Sequence, residues 1–186
     1  MALTPQIEKA IKKASFLHRN QERKRDGTPY ISHLFSIAII LLDYIDDENI
    51  IVSGILHDTI EDTPYTPDNL EKDFGAKIKE IVLGVTEDKN IKAWEERKVK
   101  YRENLKSASF ESLMVCVADK IHNLMSLKDA YETYGDDLWK SFECPSPEKY
   151  FEYHEAVLKI LKEKLNNPIV QKLEEQVSET KFIVLK

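Results

Sequence analysis

Four ionisable residues, His57, Asp58, Glu61 and Asp62, lie within six positions at the end of an apolar stretch. We predict that they continue a helix, in which residues i and i+4 share a face, so that His57 lies over Glu61 and Asp58 over Asp62. Buried ionisable groups are costly unless they are paired or bind a metal. An adjacent His-Asp pair is by itself equally typical of a solvated helix end, so other residues must decide between the two interpretations.

Two other apolar segments also carry a polar side chain on the face predicted to point inward. His33 precedes Ile37 by four residues in the most apolar segment, and Asp119 interrupts another apolar run, with Asn123 on the same face. The imidazoles and carboxylates of these segments form a donor set that suits Mn²⁺, Fe²⁺ or Zn²⁺ better than Mg²⁺ or Ca²⁺. Four protein ligands leave positions for water and substrate only at a five- or six-coordinate ion, which favours manganese or iron over tetrahedral zinc. The candidate ligands are His33, His57, Asp58 and Asp119.

The elements that must position these residues are predicted to be helices almost throughout, because apolar residues recur with the helical period. Thr-Pro pairs mark three helix starts, and only 5 glycines and 7 prolines argue against a turn-rich all-β fold. We predict an all-α bundle that forms a single domain over residues 1–186, with helices within 147–180 completing it. The predicted helices cover residues 5–14, 29–45, 48–61, 66–74, 76–85, 91–108, 111–131, 147–165 and 168–177, with an irregular segment at 135–146.

Composition and charge exclude several classes of function. The chain has 27 Lys+Arg against 33 Asp+Glu, a net charge of −6, which argues against a nucleic-acid polymer as partner but allows a local site for a phosphorylated small molecule. The most apolar stretch, residues 34–42, is far shorter than the roughly 20 residues that a membrane span needs. With no signal-peptide pattern and two cysteines in no metal or disulfide spacing, we expect a cytoplasmic protein. The sequence does not decide whether it forms a homo-oligomer.

Taken in order, the motifs resemble those of the HD-domain metal-dependent phosphohydrolases, and more narrowly the hydrolase domain of the RelA/SpoT family. The resemblance covers residues from about 10 to 130, and the whole chain is similar to the stand-alone small alarmone hydrolases of that family, including the metazoan ones. The matching words are Arg23-Lys24 before Gly27-Thr28-Pro29-Tyr30-Ile31-Ser32-His33, the box His57-Asp58-Thr59-Ile60-Glu61-Asp62-Thr63, Phe74-Gly75, Gly84-Val85-Thr86, and Ala118-Asp119-Lys120-Ile121-His122-Asn123-Leu124.

This resemblance implies an HD-domain helical bundle with a central metal site, and a hydrolase of the guanosine alarmones ppGpp and pppGpp that acts in the stringent response. The metal, usually Mn²⁺, would be held by His33, His57, Asp58 and Asp119. The pair Glu61 and Asp62 would orient and deprotonate the attacking water and manage the leaving oxygen. Water would then cleave the 3′-pyrophosphate, giving GDP or GTP and pyrophosphate. The residues implied to contact the nucleotide are Arg23, Lys24, Asn123 and, as a pocket aromatic, Tyr150.

Some features leave the substrate open. The position two residues after Asn123 is Met125, where many family members have arginine, and residues 90–106 follow no family pattern that we could align. An HD phosphohydrolase acting on an adenosine alarmone or on the 2′-phosphate of NADPH fits the metal residues equally well, and a non-catalytic nucleotide-binding or partner-binding module is a third interpretation. Lys120 is interpreted either as a phosphate contact or as a surface lysine. No function is assigned to His18, His122 and His154.

Overall fold

A computed structural model of the chain describes residues 3–24 and 27–186. Within those ranges the chain is helical and forms no β-strand, apart from one isolated bridge between Glu22 and Pro29. In the same part of the chain, no helix has both the length and the apolar character needed to cross a bilayer. The helices are α1 Pro5–Leu17, α2 Ile31–Leu42, α3 Glu48–Leu56, α4 Thr59–Asp62, α5 Pro67–Phe74, α6 Ala76–Leu83, α7 Trp94–Leu105, α8 Phe110–Tyr134, α9 Pro147–Lys164 and α10 Ile169–Val184, with a 3-10 helix over Gly135–Ser141 between α8 and α9.

Side-chain caps explain why several helices begin where the sequence predicts. Thr4, Thr66 and Ser146 each accept a hydrogen bond from the backbone N–H three residues later, and each is followed directly by proline. Helix α5 ends at Gly75, whose φ of 90° lies in the region that favours glycine. The all-α prediction is therefore confirmed, and these three starts have the expected physical basis. The start predicted at Thr28-Pro29 is wrong, because α2 begins at Ile31 and its N-cap residue Tyr30 makes no side-chain capping hydrogen bond.

Helices α2, α3 and α8 pack against one another at the centre, and their buried residues belong to one continuous hydrophobic cluster. Gly54 permits the close approach of α3 to α2. A Cβ atom at Gly54 would lie 2.7 Å from Leu41 Cδ1 and 3.3 Å from Ile37 Cγ2, closer than packed carbons normally come. This contact places the start of α2, which carries His33, beside the end of α3, which carries His57.

Most helix boundaries lie within about three residues of the prediction, and two differences are larger. The helix predicted over residues 48–61 is interrupted, because α3 ends at Leu56 and α4 begins at Thr59. His57 Nδ1 donates to the Gly54 carbonyl at 2.9 Å and Thr59 Oγ1 donates to the Leu56 carbonyl at 2.6 Å, so side chains take up acceptors that a continuing helix would use. At the other end of the chain, α10 continues past the predicted residue 177 to Val184, which is buried.

The buried residue His154 makes the stability of the bundle pH-dependent. Burial lowers the pKa of His154 to about 3, although Nδ1 contacts the Tyr150 carbonyl. Because this folded-state pKa lies below the ordinary value of 6.5, the stabilisation that His154 provides is present above pH 6.5 and is lost as the pH falls towards 3. Between pH 6.5 and 5, the free energy of unfolding should fall by ~1.5 kcal/mol more in the wild type than in His154→Gln, because only the wild type has an imidazole at this position. Urea unfolding at the two pH values measures this, and equal losses in both proteins would contradict it.

Candidate active site

The structure brings the four predicted metal ligands together at the centre of the bundle. His33 lies in the first turn of α2, His57 and Asp58 form the break between α3 and α4, and Asp119 lies on α8. His33 Nε2 is 3.6 Å from Asp58 Oδ2 and 3.3 Å from Asp119 Oδ1. His57 Nε2 is 3.1 Å from Asp58 Oδ2 and 3.8 Å from Asp119 Oδ1.

These donor atoms fit one divalent ion. Two atoms that bind the same ion at 2.0–2.2 Å lie about 3–3.6 Å apart at tetrahedral or right-angled geometry, close to the separations found here. One nitrogen of His57 is already committed, because Nδ1 donates to the Gly54 carbonyl. Its buried Nε2, 3.1 Å from Asp58 Oδ2, makes no hydrogen bond of good geometry within the described residues. An imidazole held in this way presents its bare nitrogen to a metal. His33, His57 and Asp58 form a group whose ligand atoms all lie within 4.8 Å of one another, and Asp119 adjoins both imidazoles.

The electrostatics of this cluster also suit a cation. Burial disfavours the protonated form of His57, but the adjacent charges of Asp58 and Asp119 outweigh that effect and raise its pKa well above the ordinary value. Burial likewise disfavours charged Asp119, yet Lys120 and the two histidines hold the pKa of its carboxyl well below the ordinary value. Burial also disfavours charged Asp58, but the adjacent His57 outweighs that effect and lowers the pKa of its carboxyl, so both carboxylates remain ionised in a buried site. A divalent ion would take the place of the imidazolium proton, which links metal affinity to pH.

Outer contacts fix the orientation of each ligand. The Tyr30 hydroxyl donates to Asp58 Oδ2 at 2.5 Å, and Asn123 Nδ2 donates to Asp119 Oδ1 at 2.6 Å. His122 Nδ1 lies 2.8 Å from His33 Nδ1, with the two rings 4.8 Å apart. His122, to which the sequence analysis gave no function, therefore supports His33.

We expect His122→Phe to weaken metal binding without removing any ligand. The substitution leaves His33 Nδ1 without its partner, so the ring orientation and basicity of His33 are no longer fixed. Loss of such an outer contact typically costs 10–100-fold in metal affinity. Titration with Mn²⁺ followed by electron paramagnetic resonance measures this affinity, with Ser126→Ala, which removes a weaker 3.4 Å contact to His122, as the matched control. A wild-type affinity for His122→Phe would contradict the assignment.

The two predicted catalytic carboxylates lie one turn beyond the cluster, on α4. Glu61 Oε2 accepts a hydrogen bond from the Glu87 backbone N–H at 2.9 Å, and its Oε1 is 3.1 Å from Lys89 Nζ. Burial raises the pKa of Glu61 to about 7, and the negative charges of Asp58 and Glu87 contribute to the rise. A carboxylate with a pKa near neutrality can accept a proton and release it again at physiological pH.

Asp62 is held from both sides. Lys89 Nζ lies 3.2 Å from its Oδ1, and Gln21 Nε2 donates to its Oδ2 at 3.0 Å. Gln21 is in turn held by His18, whose Nδ1 lies 2.6 Å from Gln21 Oε1. Both carboxylates are therefore fixed by side chains on other segments.

A cavity of about 450 Å³, which we call the outer cavity, opens beside these carboxylates. This volume falls within the range of small-molecule sites. Its walls include the predicted nucleotide contacts Arg23, Lys24, Asn123 and Tyr150. Six basic side chains line it together with six carboxylates, the basic ones being Arg23, Lys24, Lys89, Arg97, Lys98 and Lys120.

The predicted nucleotide contacts already have protein partners. Arg23 Nη2 donates to Asn123 Oδ1 at 3.3 Å, so Asn123 connects this arginine to the ligand Asp119. Lys24 Nζ is exposed and lies 3.5 Å from Glu143. Tyr150 is buried and packs edge-on against Trp139 and Phe142, so it both belongs to the core and lines the cavity.

A cluster on α7 was missed by the sequence analysis. Arg97 Nε and Lys98 Nζ both pair with the Glu87 carboxylate, and Arg97 Nη2 also donates to Glu143 at 2.7 Å. These ion pairs fix the position of Glu87, whose backbone N–H donates to Glu61. Lys120, for which a surface position was one alternative, is instead buried, with its Nζ 2.7 Å from Asp119 Oδ2. The only sequence signal was the placement of charged residues in a segment that follows no recognised pattern.

Comparisons with known proteins identify the family to which the chain is similar. The family described as HD domain matches residues 10–141. The guanosine-3′,5′-bis(diphosphate) 3′-pyrophosphohydrolase MESH1 of Danio rerio is 37% identical over 162 residues, covering 85% of this chain and 84% of that protein. The Mus musculus protein of the same name is 34% identical over 177 residues, covering 92% and 94%. The solved structure of a metazoan ortholog of SpoT that hydrolyses ppGpp superposes with a TM-score of 0.81 at 28% identity, over 96% of this chain and 97% of the other.

Proposed function

The chain belongs to the HD-domain family, and from that premise we propose that it hydrolyses the 3′-pyrophosphate of ppGpp and pppGpp, giving GDP or GTP and pyrophosphate. The proposal extends to this chain the activity named for its relatives in Danio rerio and Mus musculus. It includes Mn²⁺ as the metal, with Fe²⁺ or Zn²⁺ as the alternatives that the same donor set accepts.

One observation carries the proposal. A cluster of two imidazoles and two carboxylates lies directly beside Glu61, and Glu61 forms part of the wall of a cavity whose lining combines six basic side chains with six carboxylates. A module that only binds nucleotide has no need of a buried carboxylate whose pKa is raised to about 7 next to a group of candidate metal ligands. The combination favours metal-assisted hydrolysis of a phosphorylated ligand.

The reaction assigns a task to each group. The water oxygen forms a bond to the phosphorus next to the 3′ oxygen, and the bond from that phosphorus to the 3′ oxygen breaks. Glu61, held by the Glu87 N–H, accepts the proton that the water releases. The departing 3′ oxygen takes up a proton, and we assign its delivery to Asp62, which Gln21 holds in place. When bound, the divalent ion supplies Lewis-acid polarisation of the water and the phosphoryl oxygens. Arg23 and Lys24 bind and orient the nucleotide at the outer cavity.

The experiment that tests this function resolves the products. Wild-type protein is loaded with Mn²⁺ and incubated with ppGpp, and nucleotide and pyrophosphate are separated by ion-exchange chromatography. We expect GDP and pyrophosphate in equal amounts. Absence of turnover by protein that has bound Mn²⁺ would overturn the proposal, and the same assay with an adenosine alarmone and with NADPH would then test the two other substrates. Tight binding of ppGpp without turnover of any substrate would instead favour a binding module.

A further inference from the structure

His18, to which the sequence analysis gave no function, directly follows α1 and precedes the predicted nucleotide contacts Arg23 and Lys24. It is 1% exposed, although an imidazole is polar. Its Nδ1 lies 2.6 Å from Gln21 Oε1, and its buried Nε2 has no hydrogen-bond partner among the described residues. Because an unpaired polar atom is costly away from water, the burial of this ring calls for a reason.

The position of the proton on His18 follows from these contacts. A hydrogen on His18 Nε2 would be a buried donor without an acceptor in the described part of the chain, whereas a hydrogen on Nδ1 donates to Gln21 Oε1. The Nδ1–H tautomer is therefore favoured, and it fixes which end of the Gln21 amide faces His18. The other end of the amide, Gln21 Nε2, then donates to Asp62 Oδ2 at 3.0 Å.

Tyr30 holds the same two residues from another segment. Its backbone N–H donates to the Gln21 carbonyl at 2.8 Å, and its ring stacks on that of His18, with centroids 5.3 Å apart and planes 21° apart. The Tyr30 hydroxyl in turn donates to the candidate metal ligand Asp58. His18 thus contacts both the side chain that holds Asp62 and the side chain that holds Asp58.

We propose that His18 is a positioning residue, which fixes the Asp62 carboxylate through Gln21 by keeping its proton on Nδ1. The inference rests on the proposed function, in which Asp62 delivers a proton to the departing 3′ oxygen. Such a group must lie within hydrogen-bond reach of the atom it protonates, so a small displacement of Asp62 slows the reaction. Lys89, which pairs with the other oxygen of Asp62, has a side chain that is 54% exposed, and exposed ion pairs constrain their partners little. The buried His18 supplies the rigidity that Lys89 lacks.

A double-mutant cycle on the kcat of ppGpp hydrolysis tests this role. His18→Phe keeps a ring that can stack on Tyr30 but removes the Nδ1 donor, and Gln21→Met removes the amide at similar length. We expect each change to lower kcat at least ten-fold while Mn²⁺ affinity stays near wild type. Because His18 acts on Asp62 through Gln21, the double variant should be no slower than Gln21→Met alone.

Two further variants separate positioning from packing. His18→Asn loses the stacked ring, but its amide can donate to Gln21 from the place of Nδ1, so its kcat should lie within three-fold of wild type. The matched control is Asn20→Ala, an exposed neighbour, which should have wild-type kcat. A folded His18→Asn that is as slow as His18→Phe would assign the loss to the packing of the ring and overturn the inference.

Nuclear magnetic resonance tests the same hydrogen bonds without turnover. In the metal-free protein at pH 8, ¹⁵N spectra should show the His18 proton on Nδ1. The Gln21 side-chain amide signal should shift in His18→Phe and in Asp62→Ala, and stay in place in Asn20→Ala. A proton on Nε2, or a Gln21 signal unchanged in both variants, would overturn the inference. If thermal melting shows His18→Phe to be unfolded, the wild-type tautomer and the Asp62→Ala spectrum decide.

The outcomes distinguish this inference from the proposed function. A kcat of His18→Phe within three-fold of wild type, or effects that multiply in the double variant, would reject the positioning role while ppGpp hydrolysis stands. The expected spectra from a protein that leaves ppGpp intact would instead support the positioning of Asp62 and reject the proposed function.

Discussion

Replacement of Asp58 by alanine is expected to abolish both metal binding and hydrolysis. Asp58 Oδ2 lies 3.6 Å from His33 Nε2 and 3.1 Å from His57 Nε2, so it is central to the proposed set of ligands. Its removal takes away one of the two carboxylates that favour a cation in a buried site. Because changes in outer contacts alone cost 10–100-fold in metal affinity, loss of a ligand should cost more than about 100-fold.

The measurement pairs metal content with turnover. Protein is passed over a desalting column after loading with Mn²⁺, bound metal is determined by mass spectrometry, and pyrophosphate release from ppGpp is followed in the same sample. Asp129→Ala, which removes an exposed carboxylate on α8, should retain both metal and activity. Circular dichroism establishes that Asp58→Ala is folded. Stoichiometric Mn²⁺ in a folded Asp58→Ala would show that Asp58 is not a ligand.

The sequence was enough to predict an all-α fold and to single out His33, His57, Asp58 and Asp119, whose side chains the structure brings together. Helix starts were predictable because Thr4, Thr66 and Ser146 are local signals, each capping a backbone N–H three residues away. His33 and Asp119 were predictable because polar side chains on apolar helix faces require partners. The convergence of their donor atoms with those of the His57-Asp58 pair follows from the central packing of α2, α3 and α8.

What the sequence missed depends on contacts between distant segments. His122 lies about 60° around α8 from Asp119, and only the approach of α2 brings His33 Nδ1 within 2.8 Å of it. The break after Leu56 arises because the side chains of His57 and Thr59 compete for backbone carbonyls, which the helical period does not reveal. Lys98 lies in a segment with no recognised pattern, and its ion pair with Glu87 depends on how α7 packs against the loop that carries Glu87.

Replacement of Glu61 by glutamine separates chemistry from metal binding. Glu61 is not among the proposed ligands, and glutamine keeps the shape of the side chain and can still accept from the Glu87 N–H, so we expect Mn²⁺ affinity to stay near wild type. The amide is not basic and cannot accept the proton from water. The turnover number should therefore fall by about 10²–10⁴-fold, the usual contribution of a general base.

The pH dependence of the reaction provides the sharper test of Glu61. Burial raises the pKa of this carboxyl to about 7, and a base must be deprotonated to act, so the activity of wild type should fall as pH drops below that value. A bound cation offsets the negative charge of Asp58 and so lowers the pKa of Glu61. The fall of kcat/KM on the acid side of the profile, its acid limb, should therefore lie at or below pH 7 and above the ordinary carboxyl pKa of 4.5. Stopped assays from pH 5 to 9 should show this limb in wild type and in Glu80→Gln, an exposed carboxylate on α6, and not in the residual activity of Glu61→Gln. If the acid limb is unchanged in Glu61→Gln, the titrating base is another group. The neighbouring candidate is Asp62, which Gln21 and Lys89 hold in place.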